Sequence, residues 1–428
     1  MKYILAFIIL SLITIGCYTT GYGVTGLDDD WPMFMHDVHH TGYSPSRMTV
    51  PLKEAWRHEK YGKIEPVIAF NPDYEGIYTQ FVISEEKIYI LLYPGTIFSL
   101  DLNNGSVSWN IQTDESDTVW WSFPAVADQR VFASVGNKIV CLDSDTGNLV
   151  WEYEVKFIEF MSSPIVHDTY IYVGSGETGA DISSSIWNDA KKIRCLHADT
   201  GELRWEFESD FITTTSPAFF NGRIFINGGN KTVYSLDAQT GQLIWKSELE
   251  NSLTSSISTD GERLFVGDCT GVLSCLELET GDILWMLDCG DDIYGTPAVA
   301  YGKVYIGTLN GAFYCVDSEH GNPIWTIETG SRIISSPAIA DGKVFFGTED
   351  GELYVVDSQS GKILDFHYLG GSGISALAIS EQKLVVGQEN GRTVCFKGSS
   401  KWDINLIFVV ITIIFLLGIL AYRRMKRV

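Results

Sequence analysis

A segment that ends in tryptophan recurs along most of this 428-residue chain and constrains its fold more than any other feature. Copies read LDSDTGNLVW, LHADTGELRW and LDAQTGQLIW, and from Trp205 to Trp325 they stand 40 residues apart. Six copies end in Trp109, Trp151, Trp205, Trp245, Trp285 and Trp325, and a seventh has Asp365 at that place. A period of this length predicts one array of similar units rather than several unrelated domains.

Each unit divides into four short strands. Between residues 335 and 369 the runs are SSPAIA, DGKVFFGTE, DGELYVVDS and SGKILDFHYL, rich in Val, Ile, Phe and Tyr and separated by Gly-containing turns. Four antiparallel strands in about 40 residues make one blade of a β-propeller. The sequence therefore predicts an all-β propeller over residues 28–398.

Proline, glycine and tryptophan each have an expected place in the blade. The prolines that open the first strand should line the central channel, where one strand edge is unpaired: Pro124, Pro164, Pro217, Pro297 and Pro337. Glycine before the fourth strand allows a tight turn with positive φ. The six tryptophans are predicted to be structural docking residues, because a large flat ring can fill the gap between blades and its N–H can reach a carbonyl group.

The number of blades depends on the two ends of the repeat array. Eight sets of inner strands begin near Thr79, Ser122, Ser162, Ser216, Ser256, Thr296, Ser336 and Ser375. The last set lacks its fourth strand, and LKEAWRHEK around Trp56 has a fourth-strand pattern without strands of its own. We expect the Trp56 strand to complete the last blade and close an eight-bladed ring, with seven blades as the alternative.

Both termini are hydrophobic and are set apart from the propeller. Residues 1–17 have the form of a signal peptide, with an uncleaved anchor or lipidation of Cys17 as alternatives. After a short linker at 399–403, residues 404–422 span about 28 Å as a helix and predict one transmembrane segment, a buried core helix being the alternative. The basic tail at 423–428 predicts a cytoplasmic end and an extracytoplasmic propeller on the plasma membrane.

Charge and cysteine positions exclude some functions. The formal net charge is −24, and Arg423, Arg424, Lys426 and Arg427 all lie in the tail, so the propeller itself is strongly acidic. Such a surface repels phosphate backbones and argues against nucleic acid as a partner. Five cysteines stand at the same point of their units and are expected to be separate core residues: Cys141, Cys195, Cys275, Cys315 and Cys395. A Cys269–Cys289 disulfide is an alternative within one unit.

The repeats, the Ser-Pro-Ala strand openings and the segment DDDWPMFMHDVHHTGYS resemble the pyrroloquinoline-quinone-like (PQQ-like) propeller superfamily. This superfamily includes quinoprotein dehydrogenases and non-enzymatic propellers of the barrel-assembly type, and the chain is nearer to the latter. The enzymes carry an adjacent Cys-Cys pair beside the quinone, which this sequence lacks. The resemblance therefore implies a binding scaffold and provides no catalytic, cofactor-binding or metal residues and no cofactor.

Three local patterns admit other readings. Gly174, Gly176 and Gly179 match a dinucleotide-loop spacing, but no helical pattern follows, so a hairpin insertion at 177–191 is favoured as a binding loop. The run HDVHH (His36, Asp37, His39, His40) could hold a metal ion, although the resemblance to the superfamily implies that this segment packs against the propeller. Acidic runs at 114–117 and at 291–292 could bind calcium, although a solvated rim is favoured.

These observations predict a membrane-anchored scaffold at the cell surface whose partner is a membrane or surface protein. The sequence contains no assembled catalytic motif, so we expect no enzyme activity. A quinone-dependent dehydrogenase and a receptor for surface polysaccharide are the alternatives, both of which rest on the fold and the rim rather than on identified site residues.

Overall fold

The computed structural model describes residues 30–59, 80–92, 95–112, 122–155, 160–176, 191–211, 213, 215–228 and 230–399. Within these ranges the secondary structure consists of strands without helices. The strands form eight sheets arranged as the blades of one propeller. The predicted all-β, eight-bladed fold is confirmed, and the seven-bladed alternative is wrong.

Two strands precede the first complete blade: β1 (Tyr43–Ser44) and β2 (Leu52–His58). The first four blades then follow in chain order. Blade 1 contains β3 (Gln80–Ser84), β4 (Lys87–Leu92), β5 (Thr96–Asp101) and β6 (Val107–Gln112). Blade 2 contains β7 (Ala125–Ala127), β8 (Arg130–Val135), β9 (Lys138–Asp143) and β10 (Leu149–Glu154). Blade 3 contains β11 (Phe160–Met161), β12 (Ile165–His167), β13 (Tyr170–Gly176), β14 (Lys192–His197) and β15 (Leu203–Glu208). Blade 4 contains β16 (Ala218–Phe220), β17 (Arg223–Asn227), β18 (Thr232–Asp237) and β19 (Leu243–Glu248).

The remaining strands form four further blades. Blade 5 contains β20 (Ser258–Thr259), β21 (Arg263–Gly267), β22 (Val272–Glu277) and β23 (Ile283–Asp288). Blade 6 contains β24 (Ala298–Ala300), β25 (Lys303–Gly307), β26 (Ala312–Asp317) and β27 (Pro323–Glu328). Blade 7 contains β28 (Ala338–Ala340), β29 (Lys343–Gly347), β30 (Glu352–Asp357) and β31 (Ile363–Tyr368). Blade 8 contains β32 (Ile374–Ser380), β33 (Lys383–Gln388) and β34 (Thr393–Gly398), and it is completed by β2.

The ring is closed by strands from opposite ends of the propeller sequence. β2 pairs antiparallel with β34, so that Leu52 lies opposite Gly398 and Trp56 opposite Cys395. The innermost strands β3 and β32 also contact each other across this junction. The prediction that the Trp56 strand completes the last blade is therefore confirmed. Closure thus pairs the outer edge of β34, which would otherwise be open.

Burial follows the position of a strand within its blade. The second and third strands are buried along almost their whole length, because both faces of a blade pack against neighbouring blades. The fourth strand lies at the outer rim and alternates between half-buried and exposed positions, as in β31. The core is thus a series of apolar layers between blades, and the surface chemistry of the ring lies mostly on its outer strands.

Residues 30–44, which we call the crossing segment, run across the inner strands instead of joining one blade. Carbonyl groups of this segment accept backbone N–H groups from Val126, Phe219, Thr259, Val299 and Ile339, which belong to blades 2, 4, 5, 6 and 7. Trp31 bridges to Ile83 in blade 1, and β1 pairs parallel with β28. The predicted packing of this segment against the propeller is confirmed, and its hydrogen bonds occupy the inner edge that we expected to be unpaired.

Several expectations fall on other parts of the chain. The predicted signal peptide at 1–17, the transmembrane segment at 404–422 and the basic tail at 423–428 lie outside the described residues, as does the 399–403 linker beyond Ser399. No helix able to cross a membrane occurs among the residues that the structure describes.

Candidate functional site

Seven tryptophans on outer strands connect each blade to the next one. Each indole N–H donates a hydrogen bond to a backbone carbonyl just after the third strand of the following blade. The six predicted residues are joined by Trp56, which was predicted only as the mark of a fourth strand. The pairs are Trp56–Leu102, Trp109–Ser144, Trp151–Ala198 and Trp205–Ala238 at 2.9 Å, Trp285–Ser318 at 3.2 Å, Trp245–Leu278 at 3.3 Å and Trp325–Ser358 at 3.4 Å.

A glycine lies under each of these rings in the turn of the next blade. A Cβ atom at Gly241 would lie 2.6 Å from the ring of Trp205, and Gly241 has a φ of 70°. The other members repeat this arrangement: Gly105, Gly147, Gly201, Gly281, Gly321 and Gly361. Glycine is therefore required twice over, for the left-handed backbone and for the close approach of the indole.

Within its own blade each tryptophan faces a small residue across the strand pair. Five of these are the repeated cysteines, with Cys141 opposite Trp151 and Cys195 opposite Trp205 as examples. Burial raises the pKa of each of these five thiols to about 12. All five are free, as expected for separate core residues. Cys269 and Cys289 are also free, so the alternative disulfide between them is wrong.

Blade 7 departs from this pattern at Asp365, which occupies the tryptophan position opposite Val355. Its carboxylate accepts a hydrogen bond of 2.5 Å from the backbone N–H of Leu52, the first residue of β2, and lies 3.1 Å from Nε2 of His367. The third strand of blade 8 continues into Ser399 instead of turning into a fourth strand, so that blade has no glycine turn for an indole to cover. At the interface between blades 7 and 8, the Asp365 carboxylate accepts the backbone N–H at the start of β2 and takes the place of the tryptophan.

Serine hydroxyl groups accept backbone hydrogen bonds at the start of the inner strands. Where two serines precede the first strand, the first serine accepts an N–H from the second strand of its own blade, as Ser335 does from Gly347 at 3.1 Å. The second serine accepts an N–H from the preceding blade: Ser163 from Phe123 at 2.8 Å, Ser256 from Ser216 at 3.0 Å and Ser336 from Thr296 at 2.9 Å. Proline, which has no N–H to give, follows these serines in blades 3 and 7, whereas Ile257 follows Ser256 in blade 5.

The crossing segment places the aromatic side chain of Phe34 against inner residues of the propeller. Phe34 lies 4.7 Å from the ring of Phe123 in blade 2 and belongs to the same apolar cluster as Ala298 in blade 6. These blades lie on different sides of the ring, so the apolar cluster that contains Phe34 extends from one side to the other. The side chain of Phe34 is buried there.

The histidines of HDVHH fasten the crossing segment to different blades. Nδ1 of His39 lies 2.6 Å from the carbonyl of Phe219, and Nδ1 of His40 lies 2.8 Å from that of Ile257, so both nitrogens carry the proton. Burial lowers the pKa of His40 to about 4. Burial would raise the pKa of Asp37, but hydrogen bonding and the charge of His36 hold it at about 2.

The three imidazoles therefore do not converge on one point. No cluster of three His, Cys, Asp or Glu side chains suited to a metal ion occurs in the described ranges. The observed contacts show that the crossing segment packs against the inner strands and is hydrogen-bonded to them. This is the interpretation that was favoured over a metal site.

The remaining local patterns lie on turns and strands. Asp292 accepts a hydrogen bond of 3.2 Å from Thr254, and burial, together with the nearby Asp291 and Asp268, raises the pKa of its carboxyl group. Gly174 and Gly176 lie on strand β13, whereas Gly179 and the rest of the insertion up to residue 190 lie outside the described residues. The acidic run at 114–117 lies outside them as well.

The described residues do not fit a bound quinone of the kind that the dehydrogenases of this fold carry. The enzymes' adjacent cysteine pair has no counterpart in the sequence. The described cysteines lie on third strands or in outer turns, and none of them lies on an inner strand that faces the channel. We therefore derive no chemistry through a quinone.

Comparison with known proteins identifies the repeat family. The family model described as outer membrane protein assembly factor BamB matches residues 94–185, 189–287 and 229–406, which together make up more than half of the chain. Among curated relatives, the serine/threonine-protein kinase AfsK of Streptomyces coelicolor is 27% identical over 114 residues, and an uncharacterised protein of Rickettsia conorii is 23% identical over 197 residues. The matches cover 26% and 42% of this chain but span only 12% and 41% of those proteins.

Solved structures share the fold at low sequence identity. BamB from Moraxella catarrhalis is 14% identical with a TM-score of 0.63, and the match covers 81% of this chain and 98% of that one. A europium-containing methanol dehydrogenase is also 14% identical, with a TM-score of 0.69 and coverage of 87% and 98%. At such identities the likeness shows the fold alone. The match to the family model goes further, and the chain belongs to the BamB-type family of PQQ-like repeat propellers.

Proposed function

We propose that this protein is a membrane-anchored propeller that acts as a protein-interaction scaffold on the extracytoplasmic side of the plasma membrane. The observation that carries the proposal is a band of exposed aliphatic side chains at the start of the outer strands. These residues are 36 to 56% exposed and belong to seven blades: Val107, Leu149, Val150, Leu203, Leu243, Ile244, Ile283, Leu284, Ile324, Ile363 and Leu364. Exposed apolar side chains that recur around a rim offer a surface on which a protein partner can bind.

The covered inner strands support the same proposal. The crossing segment bonds to inner strands of six blades and Phe34 is buried there, whereas the outer strands keep apolar side chains exposed. BamB, whose name describes an assembly factor, has the same fold. A scaffold needs a rigid body and an exposed surface that binds partners. The docked tryptophans and the closed ring supply the rigidity.

The membrane anchor is the part of the proposal that comes from the sequence. Residues 404–422 form an apolar stretch with a basic flank, and they begin five residues after Ser399. An extended link of this length reaches about 17 Å, so the propeller would lie close to the bilayer. We propose that the partner is a membrane or surface protein for the same reason.

Crosslinking of the intact protein in its own membrane tests the proposal. A stable protein partner should be recovered with the full chain, and a variant that ends at residue 399 should lose membrane association and most of that crosslinking. Failure to recover any partner from active cells would contradict the scaffold function. In a parallel assay, tight binding of PQQ with calcium to the same preparation, together with dye reduction, would point to the dehydrogenase alternative instead.

A further inference from the structure

One groove at the rim differs from all the others. It lies between blades 6 and 7, and we call it the aromatic groove. On the blade 6 side, Trp325 and Ile327 pack against the apolar cluster that contains Tyr354 of blade 7. On the blade 7 side, Phe366 contacts Tyr354, and Tyr368 follows it by two residues on the same face of β31. Phe366 is 45% exposed and Tyr368 64%, the latter being the most exposed large hydrophobic residue in the described ranges.

The eight outer strands provide an internal comparison for this groove. Phe366 and Tyr368 stand at the fourth and sixth positions of β31, and the sixth position is acidic in six of the other outer strands and Gln112 in the remaining one. The residues at the fourth position elsewhere are Arg57, Asn110, Glu152, Glu206, Lys246, Met286 and Thr326. Blade 7 alone has aromatic residues at both places. The repeat therefore does not require aromatic residues there for folding.

The exposed rings rest on a rigid base. Trp325 stacks on Phe313 at 6.1 Å, Phe313 on Phe346 at 3.8 Å and Phe346 on Tyr354 at 5.0 Å. Phe366 then meets Tyr354 edge to face at 5.1 Å. Phe313 and Phe346 are fully buried, so the surface rings cannot collapse inward. Pre-organised aromatic residues beside a pocket are typical of the residues that carry most of the binding energy in protein interfaces.

A carboxylate sets the charge of this groove. Glu352 lies opposite Tyr368 in the strand register and accepts a hydrogen bond of 3.1 Å from the Tyr354 hydroxyl. Burial, the first cause, and that carboxylate raise the pKa of Tyr354 to about 12, so the hydroxyl remains a donor. Among the described residues Glu352 has no cation within ion-pair distance.

In two other blades the position of Glu352 is occupied by a lysine whose charge is balanced by an ion pair. Lys138 and Lys192 stand at the position of Glu352 and form ion pairs with Glu152 and Glu206 across the strand. In blade 7 the charge is reversed and no lysine or arginine has replaced it. A cation supplied by another molecule would complete the same cross-strand arrangement.

The backbone edge of β31 is less available than its side chains. The N–H of Phe366, which faces away from β30, donates a hydrogen bond of 3.0 Å to the Asp365 carboxylate. A partner strand that pairs with β31 would have to break this bond. Binding through inserted side chains is therefore favoured over extension of the sheet.

The position of the groove favours a protein over a lipid surface. β31 ends at Tyr368 and β30 begins at Glu352, at the end of the blades opposite to the one where β34 ends and the chain leaves through Ser399. A strand of six residues is about 17 Å long, so in the proposed anchored arrangement the groove faces away from the bilayer. The Glu352 carboxylate also disfavours anionic lipid headgroups.

From these observations we infer that the aromatic groove binds a segment of a partner protein. The segment inserts an apolar side chain between Ile327 and Phe366 and places a lysine or arginine at Glu352. This inference rests on the proposed scaffold function and names the contact surface and the chemistry of the partner.

Site-specific photocrosslinking of the full-length protein in its own membrane tests this inference. Benzoylphenylalanine replaces Tyr368 in one variant and Glu328, the equivalent rim residue of blade 6, in the control. We expect a protein adduct at position 368 at least about tenfold stronger than at 328, and mass spectrometry should place it on an apolar segment that contains lysine or arginine.

Two second-site changes test the chemistry. In the position-368 variant, Phe366→Thr and Glu352→Lys should each reduce the adduct about tenfold while the urea midpoint of unfolding stays that of the parent. Exchange of the crosslinked partner cation for glutamate should restore the adduct with Glu352→Lys. Equal adducts at 368 and 328, an adduct to lipid or to a second copy of this chain, or no effect of Glu352→Lys would overturn the inference.

The same experiment separates this inference from the proposed function. Crosslinkers placed along the aliphatic band of the other blades report on any partner. Adducts there without one at position 368 would remove the aromatic groove and leave the scaffold function in place, whereas the absence of adducts at every position would contradict both.

Discussion

Neighbouring blades are joined in two ways. Seven interfaces contain a docked tryptophan, and the interface between blades 7 and 8 contains a carboxylate instead. In the seven, an indole covers a glycine turn and donates to a carbonyl of the next blade. In the eighth, the next blade has no such turn, and Asp365 binds the N–H of Leu52 instead. The comparison teaches that tryptophan docking depends on a continuous chain between the third and fourth strands. Where the chain is interrupted, a carboxylate that accepts a free backbone N–H is the better residue.

The largest effect is expected from removal of one docked ring. Trp205→Ala should lower the free energy of unfolding by about 3–5 kcal/mol, because it leaves a cavity against Tyr172 and an unpaired carbonyl at Ala238. Urea unfolding followed by circular dichroism measures this loss. A loss below about 1 kcal/mol would show that the blades are held together by other contacts.

The crossing segment contacts blades 1 and 7, which lie on either side of blade 8. His40 in this segment makes the free energy of unfolding depend on pH. Its pKa of about 4 in the folded protein lies below the ordinary value of 6.5, so the unfolded chain binds the proton more readily. The contribution of His40 is present above about pH 6.5 and is lost as the pH falls towards 4, by up to about 3 kcal/mol. Urea unfolding at pH 7 and pH 4.5 should show a smaller difference for His40→Gln than for the parent. Identical differences in both would exclude His40 as the source.

A matched pair of glycines separates ring contact from backbone strain. Gly241→Ala and Gly222→Ala both place alanine at a φ near 70°, but only Gly241 lies under an indole, whereas Gly222 faces open space. We expect a loss of about 1 kcal/mol for Gly222→Ala and about 2–3 kcal/mol for Gly241→Ala. Equal losses in thermal or urea unfolding would mean that the ring shifts without cost.

The smallest effect is expected at the closure itself. Asp365→Ala leaves the Leu52 amide without its acceptor and should cost about 1–2 kcal/mol. Asp365→Trp restores the repeat consensus but should not stabilise the protein, because blade 8 offers no glycine turn to cover. A stability gain with Asp365→Trp, measured against Asp365→Ala in the same urea series, would show that the missing glycine turn is not the reason for the loss of tryptophan in blade 7.

Much of the fold could be predicted because the repeat is local. Strand positions, turn glycines and core cysteines all follow from patterns within about 40 residues. The closing Trp56 strand could be predicted because the last repeat lacks a fourth strand and the segment around Trp56 supplies one. The role of Asp365 could not be predicted, because its partner Leu52 lies over 300 residues away in sequence. The path of the crossing segment was hidden for the same reason, since His40 contacts Ile257. The aromatic pair at Phe366 and Tyr368 was visible in the sequence, but its exposure became meaningful only when the eight outer strands were compared.

The closure also sets the order of events during synthesis. The hydroxyl of Ser399 donates to the carbonyl of Pro51, a contact between residues 348 positions apart. Blade 8 thus cannot form until the residues up to Ser399 have left the ribosome, although blades 1 to 7 depend mainly on neighbours in sequence. Until then the nascent molecule is an open arc whose first and last blades each expose an unprotected apolar face. The final step of maturation is therefore a ring closure that joins the oldest and the newest parts of the polypeptide.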